Sequence, residues 1–417
     1  MTSILRNDAK FKITFVKKTE KMCRFSLLLL LVSTFGCQQK YQLRLAKQIA
    51  EETRLAYAPD KRVALFRIDT LTKSKPMVVF GETNLPEAKT AFFEKMRGAG
   101  LEFSDSLVLL PDSKLNGKTH GVVSVSVCNF RSEPRHSAEL ATQALMGSSL
   151  RVWKQQGDFF LVQSPDGYFG WLDDGGLQLM TDPEHERWLR NRRGICLQDF
   201  VFAYENADES SGKVTDLLAG NIVQLLENQG AFTKIMLPDG RIGFVKSNQL
   251  MPLPDWVNSR QPNAQQLLNT AKEMMGRPYL WGGTSGKGMD CSGFTKMAYY
   301  LNGIQLPRDA SQQVHVGELV DTDTATWKNL QPGDLLFFGR KATPEKKERI
   351  THVAMYLGEG KIIHASDRIK VESIVRGGPG FAEDRVASFV RCKRIIGQAG
   401  KNGVVRVSDL PDFKLRP

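Results

Sequence analysis

The chain has 417 residues, room for two to four domains. Its 41% hydrophobic and 24% charged content is that of a globular protein, and 36 Gly with 18 Pro exclude a collagen-like or low-complexity chain. The net charge of +12, from 57 basic and 45 acidic residues, suits an anionic surface or polymer without naming one.

Phe25 to Gly36 reads FSLLLLLVSTFG, with Arg24 before it and Cys37 after it. A basic start, a short apolar run and a small residue ahead of a cysteine predict an export signal over residues 1–36, with Met22 as a second candidate start. The apolar run is about 12 residues, too short to cross a bilayer as a helix. Cys37, followed by Gln38 and Gln39, reads as the lipid acceptor of a bacterial lipoprotein, although Thr34 and Phe35 depart from the usual Leu and small residue. Cleavage before Cys37 removes seven basic and two acidic residues and leaves +7, so part of the basic excess belongs to the signal. The cysteines beyond it are Cys128, Cys196, Cys291 and Cys392, with no CxxC or CxxxH spacing. A zinc cluster is not expected from that pattern. Spacing alone leaves a Cys128–Cys196 disulfide open.

Residues 41–117 read as a small α+β region without a functional motif. Helical spacing runs over Leu43–Leu55 and Leu85–Met96, and strands are predicted at Arg62–Ile68 and Met77–Phe80. A repeat follows: SPDGYFGWL from Ser164 to Leu172 and LPDGRIGFV from Leu237 to Val245. Asp-Gly between strands is a tight-hairpin signal, and each copy has a strand just upstream, Phe159–Gln163 and Phe232–Met236. Two small SH3-like β-barrels, residues 120–182 and 195–253, fit this pattern. Pro252-Leu253-Pro254 is read as a linker.

From residue 264 the pattern changes to helices at Ala264–Met275 and Ser292–Leu301. Strands are then predicted at Leu335–Phe338, His352–Leu357, Lys361–Ser366 and Ser388–Arg394. Helix first and antiparallel sheet after describe an α+β domain.

Asp290-Cys291-Ser292-Gly293-Phe294 opens the second of these helices. A thiol at a helix N-terminus sits among unpaired backbone N–H groups at the positive end of the dipole, which predicts a lowered thiol pKa. A structural cysteine belongs within the apolar stripe; Cys291 precedes it and is read as a nucleophile. His352 and His364 flank Gly358-Glu359-Gly360 on successive strands. A three-residue turn between Leu357 and Lys361 sets 354 opposite 364, making the two histidines diagonal neighbours about 7–8 Å apart at Cα. A two-residue turn flips one of them to the other face. On one face, one ring deprotonates the thiol and the other fixes its tautomer. His120, His136, His185 and His315 are read as structural.

These residues carry a resemblance. Pro278-Tyr279-Leu280-Trp281-Gly282-Gly283, then Asp290 to Phe294, then Leu306-Pro307-Arg308-Asp309-Ala310-Ser311-Gln312-Gln313, Pro332-Gly333-Asp334-Leu335-Leu336-Phe337-Phe338 and the two histidine strands follow in the order seen in NlpC/P60 cysteine peptidases. Residues 264–395 therefore resemble that family, with Cys291, His352 and His364 as the implied catalytic set. The implied fold is a papain-like α+β domain with N-terminal helices and an antiparallel sheet.

With two SH3-like domains ahead of it, the chain is similar to γ-D-glutamyl-L-diamino-acid endopeptidases. The resemblance implies cleavage of the γ-D-Glu–diamino-acid bond in stem peptides with a free N-terminal L-alanine, during cell-wall turnover or recycling. It implies that the first SH3-like domain walls the site. Glu133, Tyr168, Asp290, Ser292 and Ser311 are the matched substrate-binding positions; the Cys291 backbone N–H is the expected oxyanion donor, with Tyr279 as a candidate second. Arg241 stands in the second repeat where the first has Tyr168. No metal or cofactor is implied. The expected partners are peptidoglycan stem peptides or muropeptide fragments and a membrane reached through the lipid on Cys37; no nucleic acid is expected. The protein is expected to be a monomer on the periplasmic side of the cell envelope. Two other readings stay open at this stage: an amidase or acyltransferase of the same fold, and a lipid-anchored wall-binding scaffold.

Overall fold

A computed structural model describes residues 38–71 and 76–414. The export signal and Cys37 lie outside the described residues. The chain divides after Leu110 into two compact units.

The first unit begins with helix α1, residues 38–57. Strands β1 (Phe66–Leu71), β2 (Met77–Thr83) and β3 (Phe103–Leu109) form one sheet, with helix α2 (Pro86–Gly98) between β2 and β3. Pro86 starts α2 where its missing N–H costs nothing, and Ala88, Phe92, Phe93 and Met96 make its buried stripe. Phe93 stacks on Phe103 at 4.9 Å between ring centroids. Two expectations shift. The first strand starts at Phe66, because Arg62 is held in a turn by Asp60. Strand β3 was not expected: Leu107 is its one buried residue, so it lacks the alternation that marks a strand.

The second unit opens with a seven-stranded antiparallel sheet: β4 (His120–Val123), β5 (Val127–Arg131), β6 (Leu140–Leu145), β7 (Ser149–Gln156), β8 (Phe159–Gln163), β9 (Phe169–Asp173) and β10 (Leu177–Met180). Helix α3 (Asp182–Arg190) follows, started by a capping box between Thr181 and Glu184. A second sheet holds β11 (Arg193–Cys196), β12 (Val201–Tyr204), β13 (Lys213–Leu217), β14 (Ile222–Gln229), β15 (Phe232–Met236), β16 (Ile242–Lys246) and β17 (Leu250–Pro252). Strand order is β10-β4-β7-β8-β9-β5-β6 in the first and β13-β12-β16-β15-β14-β11-β17 in the second. Read in opposite directions, these are the same topology, so the sequence repeat is a structural repeat. Cys128 sits in the core of the first sheet and Cys196 in that of the second, and both are free thiols. The disulfide that spacing left open is not formed.

Pro252 to Pro254 is not a linker. Leu253–Ser259 is helix α4, with Pro254 in its first turn and Trp256 buried. Trp256 packs with Trp188, Ile195, Val407, Leu410 and Phe413, so the C-terminal tail closes a core shared with the repeat sheets.

Helix α5 (Ala264–Glu273) leads to the short hairpin β18 (Thr284–Ser285) and β19 (Gly288–Met289), then helix α6 (Cys291–Leu301). Strand β20 (Ile304–Gln305), helix α7 (Ala310–Gln313), β21 (Glu318–Val320), β22 (Leu335–Arg340), β23 (Arg349–Gly358), β24 (Lys361–Ala365), β25 (Ile369–Ser373), helix α8 (Glu383–Ala387), β26 (Phe389–Arg394) and β27 (Val405–Arg406) complete the chain. Six strands form one antiparallel sheet in the order β21-β26-β22-β23-β24-β25. Phe294, Met297 and Ala298 of α6 pack on Val353, Met355, Ile363 and Ala365.

The turn between β23 and β24 has two residues, not three. Glu359 and Gly360 have φ of 52° and 69°, the left-handed pair of a tight hairpin turn. A bulge at Leu357 restores the register, which then reads Met355↔Ile363. The expected alignment of the histidine strands survives because bulge and turn offset one another.

Candidate active site

Asp290 caps α6, its Oδ1 accepting the Gly293 N–H at 2.7 Å, and this sets Cys291 at the first helical position. The β23–β24 pairs stop at Met355↔Ile363, and the Val353 backbone N–H, one residue from His352, lies against the Cys291 thiol. Val353 and Met355 face α6, whereas His352 and His364 occupy the alternate positions of their strands. Both rings are buried. His352 Nε2 lies 2.7 Å from His364 Nδ1, and His364 Nε2 lies 2.8 Å from Glu372 Oε2. Glu372 Oε1 is 2.9 Å from Lys370 Nζ.

The thiol does not behave as its helix position predicts. Burial, with help from the Asp290 carboxylate, pushes it up to about 11. The N–H groups of Ser292 and Val353 pull the other way and are outweighed. Burial holds His352 well below its usual range, with Arg385 and His364 adding to the effect. Burial also lowers His364, against the pull of Glu372. Burial thus favours the neutral form of the thiol and of both imidazoles. Tyr279, half-buried next to this core, has its phenol pushed up to about 12, first by burial and then by Cys291 and Asp290, so it stays a donor.

The remaining predicted residues separate. Asp290 is engaged by five donors: Oδ1 takes Gly293 N, Ser292 Oγ and Arg308 Nη1, and Oδ2 takes Gly282 N and Arg308 Nη2. Ser292 is buried and shared between Asp290 and Arg308. Tyr168, in the turn before β9 of the first repeat, is buried and donates its hydroxyl to Asp309 Oδ2 at 3.2 Å. Ser311 is half-buried in the first turn of α7. Glu133 is exposed on a loop of the first repeat and pairs with Arg135 Nε at 3.0 Å. Arg241 of the second repeat pairs with Asp239 at 2.7 Å, so the two repeats differ at this position as the sequence indicates.

Sequence reasoning gave no role to Arg308, Thr142, Gln143, Glu139 or Glu372. Arg308 is 1% exposed and bridges Asp290 to Thr142 Oγ1 of β6. Gln143 Oε1 accepts from Thr284 N and Ser285 Oγ, both at 3.0 Å, and Glu139 takes the Trp281 indole N–H at 2.7 Å. Gly282, at φ 78°, allows this approach: a Cβ there would lie 2.2 Å from the Leu140 carbonyl oxygen. Lys296 of α6 pairs with buried Asp166 of the first repeat's turn. The first repeat sheet therefore forms one wall of the segment that carries Cys291.

Comparison with known proteins gives this geometry a family. A sequence model described as the NlpC/P60 family matches residues 276–385, and one described as the bacterial dipeptidyl-peptidase Sh3 domain matches residues 130–177. The chain is 32% identical over 258 residues to a gamma-D-glutamyl-L-lysine dipeptidyl-peptidase of Bacillus cereus, covering 59% of this chain and 73% of that protein. It is 30% identical over 261 residues to the Bacillus subtilis protein of the same name, covering 61% and 81%. A crystal structure of an NlpC/P60 family protein from Bacillus cereus aligns with a TM-score of 0.54 at 26% identity, over 66% of this chain and 99% of that one. On these matches the chain belongs to the NlpC/P60 family and is a cysteine peptidase.

Proposed function

We propose that this enzyme hydrolyses the amide between γ-D-glutamate and the following diamino acid in cell-wall stem peptides whose N-terminal L-alanine is free. The observation that carries the reading is the site itself: a thiol at the start of α6, against the strand of a hydrogen-bonded His352–His364 pair. The names of the two Bacillus relatives supply the substrate class. Burial favours the protonated thiol, so in this reading its proton leaves as the sulfur attacks, and His352 accepts it. The S–C bond forms and the C–N bond breaks, with His352 returning the proton to the leaving amine. Water then attacks the thioester, giving a free carboxylate and restoring the thiol. The Cys291 backbone N–H and the Tyr279 hydroxyl are the donors for the oxyanion, each typically worth about 10²–10³ in rate.

A free ammonium group removed from water needs acceptor partners. Tyr168 and Asp309 meet where the first repeat joins α7, and Glu133 lies on an exposed loop of that repeat. Asp290 and Ser292 act from behind the site, since Asp290 already accepts from five donors. Ser311 completes the set on α7. Incubation with defined stem peptides beside intact sacculi, read by mass spectrometry, tests the proposal. Release of L-Ala-γ-D-Glu from free peptides alone supports it; cleavage at another bond, or of sacculi equally well, overturns it.

In the same reading the protein works as a monomer in peptidoglycan turnover or recycling, held to a membrane of the bacterial envelope by a lipid on Cys37. No helix among the described residues is long and apolar enough to cross a membrane. Cys37→Ser should release the protein into the soluble fraction, and retention on membranes would contradict the anchor.

A further inference from the structure

The hydrogen-bond chain does not end at His364. His364 has both ring nitrogens engaged, Nδ1 toward His352 at 2.7 Å and Nε2 toward Glu372 at 2.8 Å. Ile362 faces Glu372 across the β24–β25 ladder, so Glu372 is the diagonal neighbour of His364. Lys370, two residues earlier on β25, holds the other carboxylate oxygen at 2.9 Å and also pairs with Asp367 at 3.2 Å.

A carboxylate only accepts hydrogen bonds. Glu372, held ionised by Lys370 and His364, therefore requires the proton of His364 on Nε2. A neutral His364 then has its lone pair on Nδ1, which accepts from His352 Nε2–H. A neutral His352 then has its lone pair on Nδ1, the nitrogen left to take the thiol proton. Resting on the thiol-peptidase reading above, we infer that Glu372 is a positioning residue that fixes the tautomers of both imidazoles. Without it, His364 can carry its proton on Nδ1 and donate to His352 Nε2. His352 then holds its proton on Nδ1 and has no lone pair to offer the thiol.

The charged groups around the pair are Glu372 and Lys370 on β25, Arg385 on α8 and Asp367 ahead of β25. Glu372→Gln keeps the side-chain shape, but its amide can donate as well as accept. The test uses the whole protein as wild type, Glu372→Gln and Cys291→Ala. It combines nitrogen-15 NMR of the imidazoles with the pH profile of kcat/KM for L-Ala-γ-D-Glu-L-lysine. Wild type should show both rings protonated on Nε2. Glu372→Gln should show mixed tautomers, a kcat lower by about 10- to 100-fold and a KM within about twofold. A wild-type His364 protonated on Nδ1 overturns the assignment even if the variant fails to fold. A folded Glu372→Gln with wild-type tautomers, or with kcat within about twofold, overturns it as well. Turnover by Cys291→Ala with intact tautomers would instead defeat the thiol reading and leave the Glu372 assignment standing.

Discussion

Arg308 grips Asp290 through two nitrogens, Nη2 to Oδ2 at 2.6 Å and Nη1 to Oδ1 at 3.1 Å, with the guanidinium almost fully buried. The third nitrogen, Nε, donates to Thr142 on the first repeat sheet at 2.8 Å. One side chain thus ties the helix cap beside Cys291 to the neighbouring sheet. The planar fork of arginine meets this geometry; a lysine has no equivalent.

Arg308→Met leaves Asp290 buried without its cation. The expected loss of stability is about 3–5 kcal/mol, the usual result of removing one partner of a buried pair. Chemical denaturation of wild type, Arg308→Met and the double variant with Asp290→Asn measures it. The double variant should recover part of the loss; a single variant within about 1 kcal/mol of wild type contradicts the strut.

The amine end of the substrate gives a second expectation. If Tyr168, Asp309 and Glu133 recognise a free ammonium, acetylating the alanine of the substrate removes its charge and two donors. The value of kcat/KM should fall by about 10² or more, since the positive charge and donors that these carboxylates attract are then gone. Steady-state kinetics on the acetylated and free tripeptides decide the point. Equal rates would show that the wall built by the first repeat does not select the amine.

Acid should destabilise the fold in a defined window. His352 and His364 are both held below the usual 6.5 in the folded state. Below about 6.5 the unfolded chain binds protons that the folded chain refuses, so stability is present above that pH and is lost as pH falls toward the folded values. Each ring adds a slope of up to about 1.4 kcal/mol per pH unit. His120, also lowered by burial, contributes a background that a variant at His352 leaves in place. Denaturant midpoints across this range should drop with pH, and His352→Asn should flatten the slope by one ring. An unchanged slope in that variant would mean that His352 is not held neutral.

Much of this was legible because local chemistry carried it. The Asp-Gly turns located both repeats, and the apolar stripe behind Cys291 located α6. The proposed triple of Cys291, His352 and His364 rests on a helix start and two strand histidines. The hairpin register was right for a wrong reason: the turn has two residues, and an unforeseen bulge at Leu357 makes up the difference. The thiol pKa was misjudged because the helix end is a local effect, while burial, the largest cause, depends on packing. Arg308 and Glu372 escaped because their meaning lies in partners 18 and 8 residues away. The tail after Gly397 was silent because Val407, Leu410 and Phe413 find their core only on the folded repeats.

The central claim is that the Cys291 sulfur forms the bond to the substrate carbonyl. Turnover of L-Ala-γ-D-Glu-L-lysine by Cys291→Ala, with folding verified by circular dichroism, tests it most directly. The account predicts no release of lysine above the uncatalysed background, with thermal stability close to wild type. A folded Cys291→Ala enzyme that still cleaves within about tenfold of the wild-type rate would contradict it.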